Sequence, residues 1–100
     1  MRKIELSKRA TQKLEQLLQY LEFEWSLKVK NEFIVKLDKS LERISQFPES
    51  CPETDYIHGL RMLVLTKQTS LFYKFNPRVI SIVTLFDTRM NPETLKKRKL

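Results

Sequence analysis

The sequence predicts an α+β fold in which a short strand and an αα-hairpin pack on a twisted antiparallel sheet, in the order β-α-α-β-β-β. Three observations predict it. Two apolar stripes of helical period run back to back through residues 7–47. Three runs rich in β-branched and aromatic residues then follow one another across short turns. The first residues alternate polar and apolar. One hundred residues make a single domain, 1–100, and 41% hydrophobic content is enough for one core.

Lys3 to Leu6 alternates, with Ile4 and Leu6 on one side, as a short strand requires. Ser7 is placed to cap a helix, its hydroxyl taking a free N–H of the first turn. Ala10, Leu14, Leu17, Leu18, Leu21 and Trp25 recur at spacings of three and four, so Trp25 is expected at the end of the core stripe. Ser26 is a second cap. Leu27, Ile34, Leu37, Leu41 and Ile44 carry the next stripe, with Phe33 beside it. Pro48 ends that helix, because it lacks an N–H and clashes with the preceding turn. So brief a break makes the helices fold back on each other with both stripes facing a common core.

Residues 48–58 hold two prolines and read as a loop. Gly59 opens a second strand, Leu60 to Thr66, and Gln68-Thr69 lies near the following turn. Leu71 to Phe75 is the third strand, and Asn76-Pro77-Arg78 turns the chain into the fourth, Val79 to Phe86. Short turns between consecutive strands require antiparallel pairing, hence a meander with the helices on one face.

The net charge of +7 points to an anionic partner, nucleic acid first among them. The surplus is concentrated toward the end, in Lys96-Lys97-Arg98-Lys99. One cysteine, Cys51, allows no intrachain disulfide and fits a reducing compartment. No apolar run is long enough for a membrane span and the N-terminus lacks a signal-peptide core, so a cytoplasmic protein without membrane contact is expected. A single glycine excludes a glycine-rich phosphate loop. One His and one Cys, His58 and Cys51, do not make a zinc set, so no metal or cofactor is expected.

The cations carry the functional expectation. Arg61 lies in the second strand, Lys67 near the next turn, Lys74 in the third strand, Arg78 at the following turn and Arg89 just past the fourth strand. Lys96, Lys97 and Arg98 follow in the tail. Guanidinium groups grip phosphate bidentately and stay charged at any working pH. Arg61 and Arg89 are expected to share the exposed region of the sheet, with Tyr56 and Tyr73 as aromatics that could stack on an unpaired base. Asp87 reads either as a turn former or as the residue that orients Arg89.

The element order, together with Gly59-Leu-Arg-Met-Leu-Val64, Leu71-Phe-Tyr-Lys-Phe75 and Ile82-Val-Thr-Leu-Phe-Asp-Thr-Arg-Met-Asn-Pro92, resembles the RelE/ParE toxin superfamily. The last run is similar to the ending of many plasmid-stabilisation proteins of this type. The resemblance implies the growth-inhibiting toxin of a type II toxin–antitoxin pair, masked by a cognate acidic antitoxin. Self-association as a homodimer and assembly with the antitoxin into a hetero-oligomer both stay open.

Two branches are implied. RelE-like members are RNA-binding endonucleases that cleave mRNA on the ribosome. For that branch Arg61 and Arg89 are the catalytic candidates. However, Leu63 and Ser70 stand where further cations are expected, and the tail offers no Tyr or His. ParE-like members poison DNA gyrase by binding. The incomplete nuclease set favours the gyrase-directed branch, with the RNA endonuclease as the alternative and a non-toxic basic interaction module as the third. Whether the chain is an enzyme is thus left open.

Overall fold

The computed structural model describes residues 2–90. Strand β1 (Lys3–Leu6) leads into helices α1 (Lys8–Glu24) and α2 (Leu27–Gln46), then a short 3-10 turn (Pro48–Ser50). Strands β2 (Arg61–Val64), β3 (Thr69–Phe75) and β4 (Val79–Asp87) follow. Both predicted serine caps form. Ser7 Oγ accepts from the Ala10 amide and Ser26 Oγ from the Val29 amide, each at 3.0 Å. Only Trp25 and Ser26 separate the helices, and Lys30 Nζ ties back to Glu22 Oε1 across that turn at 2.8 Å. Gly59 takes φ +82°, a region that side chains with a Cβ rarely adopt, just before β2.

The sheet order is β1-β4-β3-β2. The meander is antiparallel as expected, but the sheet as a whole is mixed, because β1 pairs parallel with β4 in the register Ile4↔Ile80. Short turns dictate the direction of consecutive strands only. Nothing local dictates it for β1, which reaches β4 after a long crossover.

Both helices cover one face of the sheet. Leu17 and Leu21 of α1 and Phe33, Leu37 and Ile44 of α2 meet Leu63, Leu71, Tyr73, Ile80, Ile82 and Leu85 in one core. Ala10, fully buried, has no side chain beyond Cβ to hold its helix turn away from the sheet. Trp25 departs from its expected place. It is 59% exposed, because it stands at the hairpin tip where α1 has ended and there is no sheet beneath it.

Strand β4 contains an irregularity that decides which residues face the helices. Tyr73 pairs with Ile82 and Phe72 with Thr84, which leaves Val83 as an extra residue without a β3 partner. Such a bulge resets the two-residue alternation. Ile80 and Ile82 are buried before it, and Leu85 and Asp87 after it. Ser7 sits over the bulge: its amide donates to Ile82 O at 2.9 Å and its hydroxyl to Val83 O at 2.6 Å.

Ser7 is therefore both helix cap and strand anchor. Ser7→Ala should destabilise the protein by about 1–2 kcal/mol, the sum of a lost cap and a lost hydrogen bond. Ser26→Ala, which removes a cap alone, should lose about 1 kcal/mol. Urea unfolding of the two variants side by side checks the difference. Equal losses would reduce Ser7 to an ordinary cap.

Candidate functional site

Four cues bring Arg89 into a defined place. The bulge turns Asp87 toward the helices. The chain then makes a tight turn, with the Met90 amide donating to Asp87 O at 3.1 Å. The Thr88 amide donates to Gln68 O at 2.9 Å, so this turn is laced to the one between β2 and β3. In that second turn, Thr66 Oγ1 accepts from the amides of Gln68 and Thr69, at 3.1 and 3.0 Å.

The Arg89 guanidinium closes on the Asp87 carboxylate as a fork. Nε donates to Oδ1 at 3.0 Å and Nη2 to Oδ2 at 2.8 Å, and the Arg89 amide also donates to Oδ1 at 2.9 Å. From the other side the buried Thr69 hydroxyl donates to Oδ2. The Asp87 side chain is 2% exposed and the Arg89 side chain 19%. Burial pushes the Asp87 carboxyl up, but the bonds from Arg89 and Thr69 outweigh it and hold it below the ordinary carboxylate range. The hydrogen bonds to Asp87 and its negative charge in turn raise the Arg89 guanidinium above its usual value, against a partial burial that lowers it. Asp87 meets both readings: its carboxylate accepts the local Arg89 amide, as a turn former does, and it also holds the Arg89 guanidinium in a bidentate pair.

Arg89 lines a cleft between the hairpin and the β2–β3 turn, facing Leu21 of α1, Val29, Glu32 and Lys36 of α2, and Thr66 and Gln68. A second hollow on the far side of Asp87 runs between Lys13 and Gln16 of α1 and Phe86 and Met90. Lys36 and Glu32 sit among helix-surface residues, with nothing in the spacing to single them out. Thr69 was signalled by the Thr66-x-Gln68-Thr69 pattern of a hydroxyl-capped turn, which puts the start of β3 at Thr69 and not at Leu71.

Arg61 is elsewhere. Its pairing partner is Tyr73 and that of Asp87 is Thr69, so Arg61 lies four β3 residues, about 13 Å along the strand, from the carboxylate that holds Arg89. Arg61 also points to the helix-covered side, in line with Tyr73 and Leu63. The expectation that Arg61 and Arg89 share the open region of the sheet is corrected on both counts. Arg61 Nη1 donates to the carbonyls of Cys51 and Glu49, Nη2 lies 3.7 Å from Glu53 Oε1, and the guanidinium rests 5.6 Å from the Phe75 ring centre. It ties the loop after α2 to the sheet.

Tyr73 is fully buried and donates its hydroxyl to Pro48 O at 2.7 Å. Burial and the neighbouring Cys51 raise its pKa, so it is a core group and not a stacking surface. Tyr56 is exposed. Lys67 lies in the turn near Arg89. Lys74 is exposed on the open face opposite Ser81, and Arg78 occupies the β3–β4 turn. Lys96, Lys97 and Arg98 lie outside the described residues. The His58 side chain is fully exposed, with Nδ1 3.8 Å from Glu53 Oε2. Among the described residues no three His, Cys, Asp or Glu side chains cluster as metal ligands, and no helix is long and apolar enough to cross a membrane.

The profile of the ParE toxin family, described as the ParE toxin of the type II toxin–antitoxin system parDE, matches residues 4–92. The chain belongs to the ParE toxin family. Known structures share the family's fold. A chain of the chromosomal ParDE toxin–antitoxin system from P. aeruginosa superposes with a TM-score of 0.71 at 12% identity, covering 87% of this chain and 96% of that one. A chain of the E. coli DinJ–YafQ toxin–antitoxin complex gives 0.61 at 13% identity, covering 88% and 93%. YafQ from E. coli strain BL21(DE3) gives 0.53 at 12% identity, covering 89% and 96%. No curated protein matches the chain in sequence. A strand, a helix hairpin and three further strands are thus a fold that this ParE-family member shares with the matched chains of both named systems.

Proposed function

We propose that this ParE-family toxin acts by binding DNA gyrase and is neutralised by a cognate acidic antitoxin. The observation that carries the reading is the closed fork between Arg89 and Asp87. A phosphodiester approaching Arg89 would have to displace a carboxylate that is almost fully buried and also bonded by Thr69. Glu32 in the same cleft adds a further negative charge. Cleavage of RNA needs a cation free to meet developing charge and a group free to move a proton. Arg61 holds loop carbonyls and Tyr73 holds Pro48, so neither is free for those roles. A rigid, charged, partly apolar cleft is instead suited to a protein surface, with Arg89, Lys36 and Lys67 as the contacts at its rim. The net charge of +7 suits an acidic antitoxin that folds on this surface, and DinJ–YafQ, which shares the fold, is a toxin–antitoxin complex.

The test pairs two assays. The purified chain should inhibit supercoiling of relaxed plasmid by gyrase, and Arg89→Ala should lose that inhibition while keeping its circular dichroism spectrum. Primer extension on mRNA after induction should show no codon-phased cuts. Codon-phased cuts with supercoiling untouched would replace this reading with the RNA endonuclease. Full inhibition by Arg89→Ala would take Arg89 out of the site.

A further inference from the structure

The end of the molecule opposite Arg89 carries a second concentration of charge, built differently. Arg2 Nε donates to Asn76 O at 2.9 Å and its guanidinium rests 5.6 Å from the Phe75 ring centre. The group is thus held by a carbonyl and an aromatic face. Its terminal amino groups make no hydrogen bond and no ion pair among the described residues. Beside it Phe47, 62% exposed at the end of α2, lines a shallow hollow with Arg2, Gln46 and Pro77. Lys3 donates its amide to Arg78 O at 2.9 Å, which places the β3–β4 turn against this rim. The Arg78 side chain is exposed and has no ion pair among the described residues. The acids nearby are Glu49, lining the adjoining hollow, and Glu5, 3.8 Å from Lys3.

We propose that Arg2, Phe47 and Arg78 form a stacking platform for single-stranded nucleic acid, separate from the Arg89 cleft. An aromatic ring left in water beside a preset guanidinium presents a face for one unpaired base and donors for its flanking phosphate. A duplex keeps its base faces stacked inside and offers nothing for Phe47 to cover. The platform stands apart from the gyrase reading and survives its failure, because no residue of the Arg89 cleft takes part.

The test is a fluorescence anisotropy titration of the full chain with labelled oligothymidylate at low salt, with a duplex of equal length as competitor. Phe47→Ala should weaken binding roughly tenfold or more, the loss of one base stack, and Phe47→Tyr should restore it. Phe23→Ala removes an even more exposed aromatic at the hairpin tip, a 20-residue helix and so about 30 Å away, and should leave affinity unchanged. Arg78→Ala should lower the slope of log affinity against log salt by roughly 0.7, one phosphate contact. The duplex should compete poorly. No binding at low salt would overturn the platform. So would wild-type affinity in Phe47→Ala, an equal loss in Phe23→Ala, or a duplex that outcompetes the single strand. Wild-type affinity in Phe47→Ala would place the contact elsewhere on the basic chain.

Discussion

Leu37→Asp will unfold the protein. Leu37 is 6% exposed, in the middle of the α2 stripe that meets the sheet. Truncating a buried leucine removes about 2–5 kcal/mol, and an unpaired carboxylate in its place adds a desolvation penalty of several more. Domains of this size are stable by only about 5–15 kcal/mol, so the sum reaches the whole of that reserve. The expected result is loss of the cooperative thermal transition and of near-ultraviolet dichroism. Val35→Asp, on the same helix but 52% exposed, should change stability by no more than about 0.5 kcal/mol. A cooperative, native-like Leu37→Asp protein would mean that this stripe is not the core.

Asp87→Asn will weaken the fold by about 3 kcal/mol at neutral pH, toward the lower end for breaking a buried pair because Arg89 keeps some access to water. It will also change the response to acid. The folded-state pKa of Asp87 lies below its unfolded value near 3.8. The stabilisation from this carboxylate is therefore fully present above the unfolded pKa and is lost as pH falls through the folded one. Wild-type protein should lose stability steadily from about pH 5 downward, and Asp87→Asn should lose less over the same range. Urea midpoints of the two proteins at neutral and acidic pH measure this. Parallel pH profiles would show that the Arg89–Asp87–Thr69 cluster contributes nothing through charge.

The parts of the fold that could be read in advance are those encoded locally. Ser7 and Ser26 each precede an apolar stripe, and both cap as their position demands. Pro48 ends α2, and the turns at 66–69 and 76–78 force the meander. What was not legible depends on residues far apart in the chain. The parallel pairing of β1 with β4 joins Ile4 to Ile80, and no turn between them reports the direction. Trp25 satisfies the helical period, yet it falls one step past the sheet, and sequence spacing does not record where a sheet ends. Arg61 carries the mark of a ligand-binding cation. Its actual partners, the carbonyls of Glu49 and Cys51, are backbone atoms that every residue possesses, so composition cannot announce them. Arg89 was singled out by its position after β4. Its grip on Asp87 is completed by Thr69, 18 residues earlier in the chain, and the facing Glu32 and Lys36 come from another element altogether.

The unpaired Val83 has a consequence for how this chain tolerates change in length. With strict alternation, the buried rank of Ile80 and Ile82 would continue through Thr84 and Phe86, and Leu85 and Asp87 would stand in water. One surplus residue shifts the phase of everything downstream. The anchoring carboxylate of Arg89 is therefore addressed by counting as much as by identity. Deleting Val83 would remove the bulge and leave Leu85 and Asp87 on the buried side, whereas a one-residue insertion within 84–86 would interchange inside and outside for the end of the strand, with every side chain at the rim still present. The same change in the 76–78 turn would leave the parity of that stretch intact.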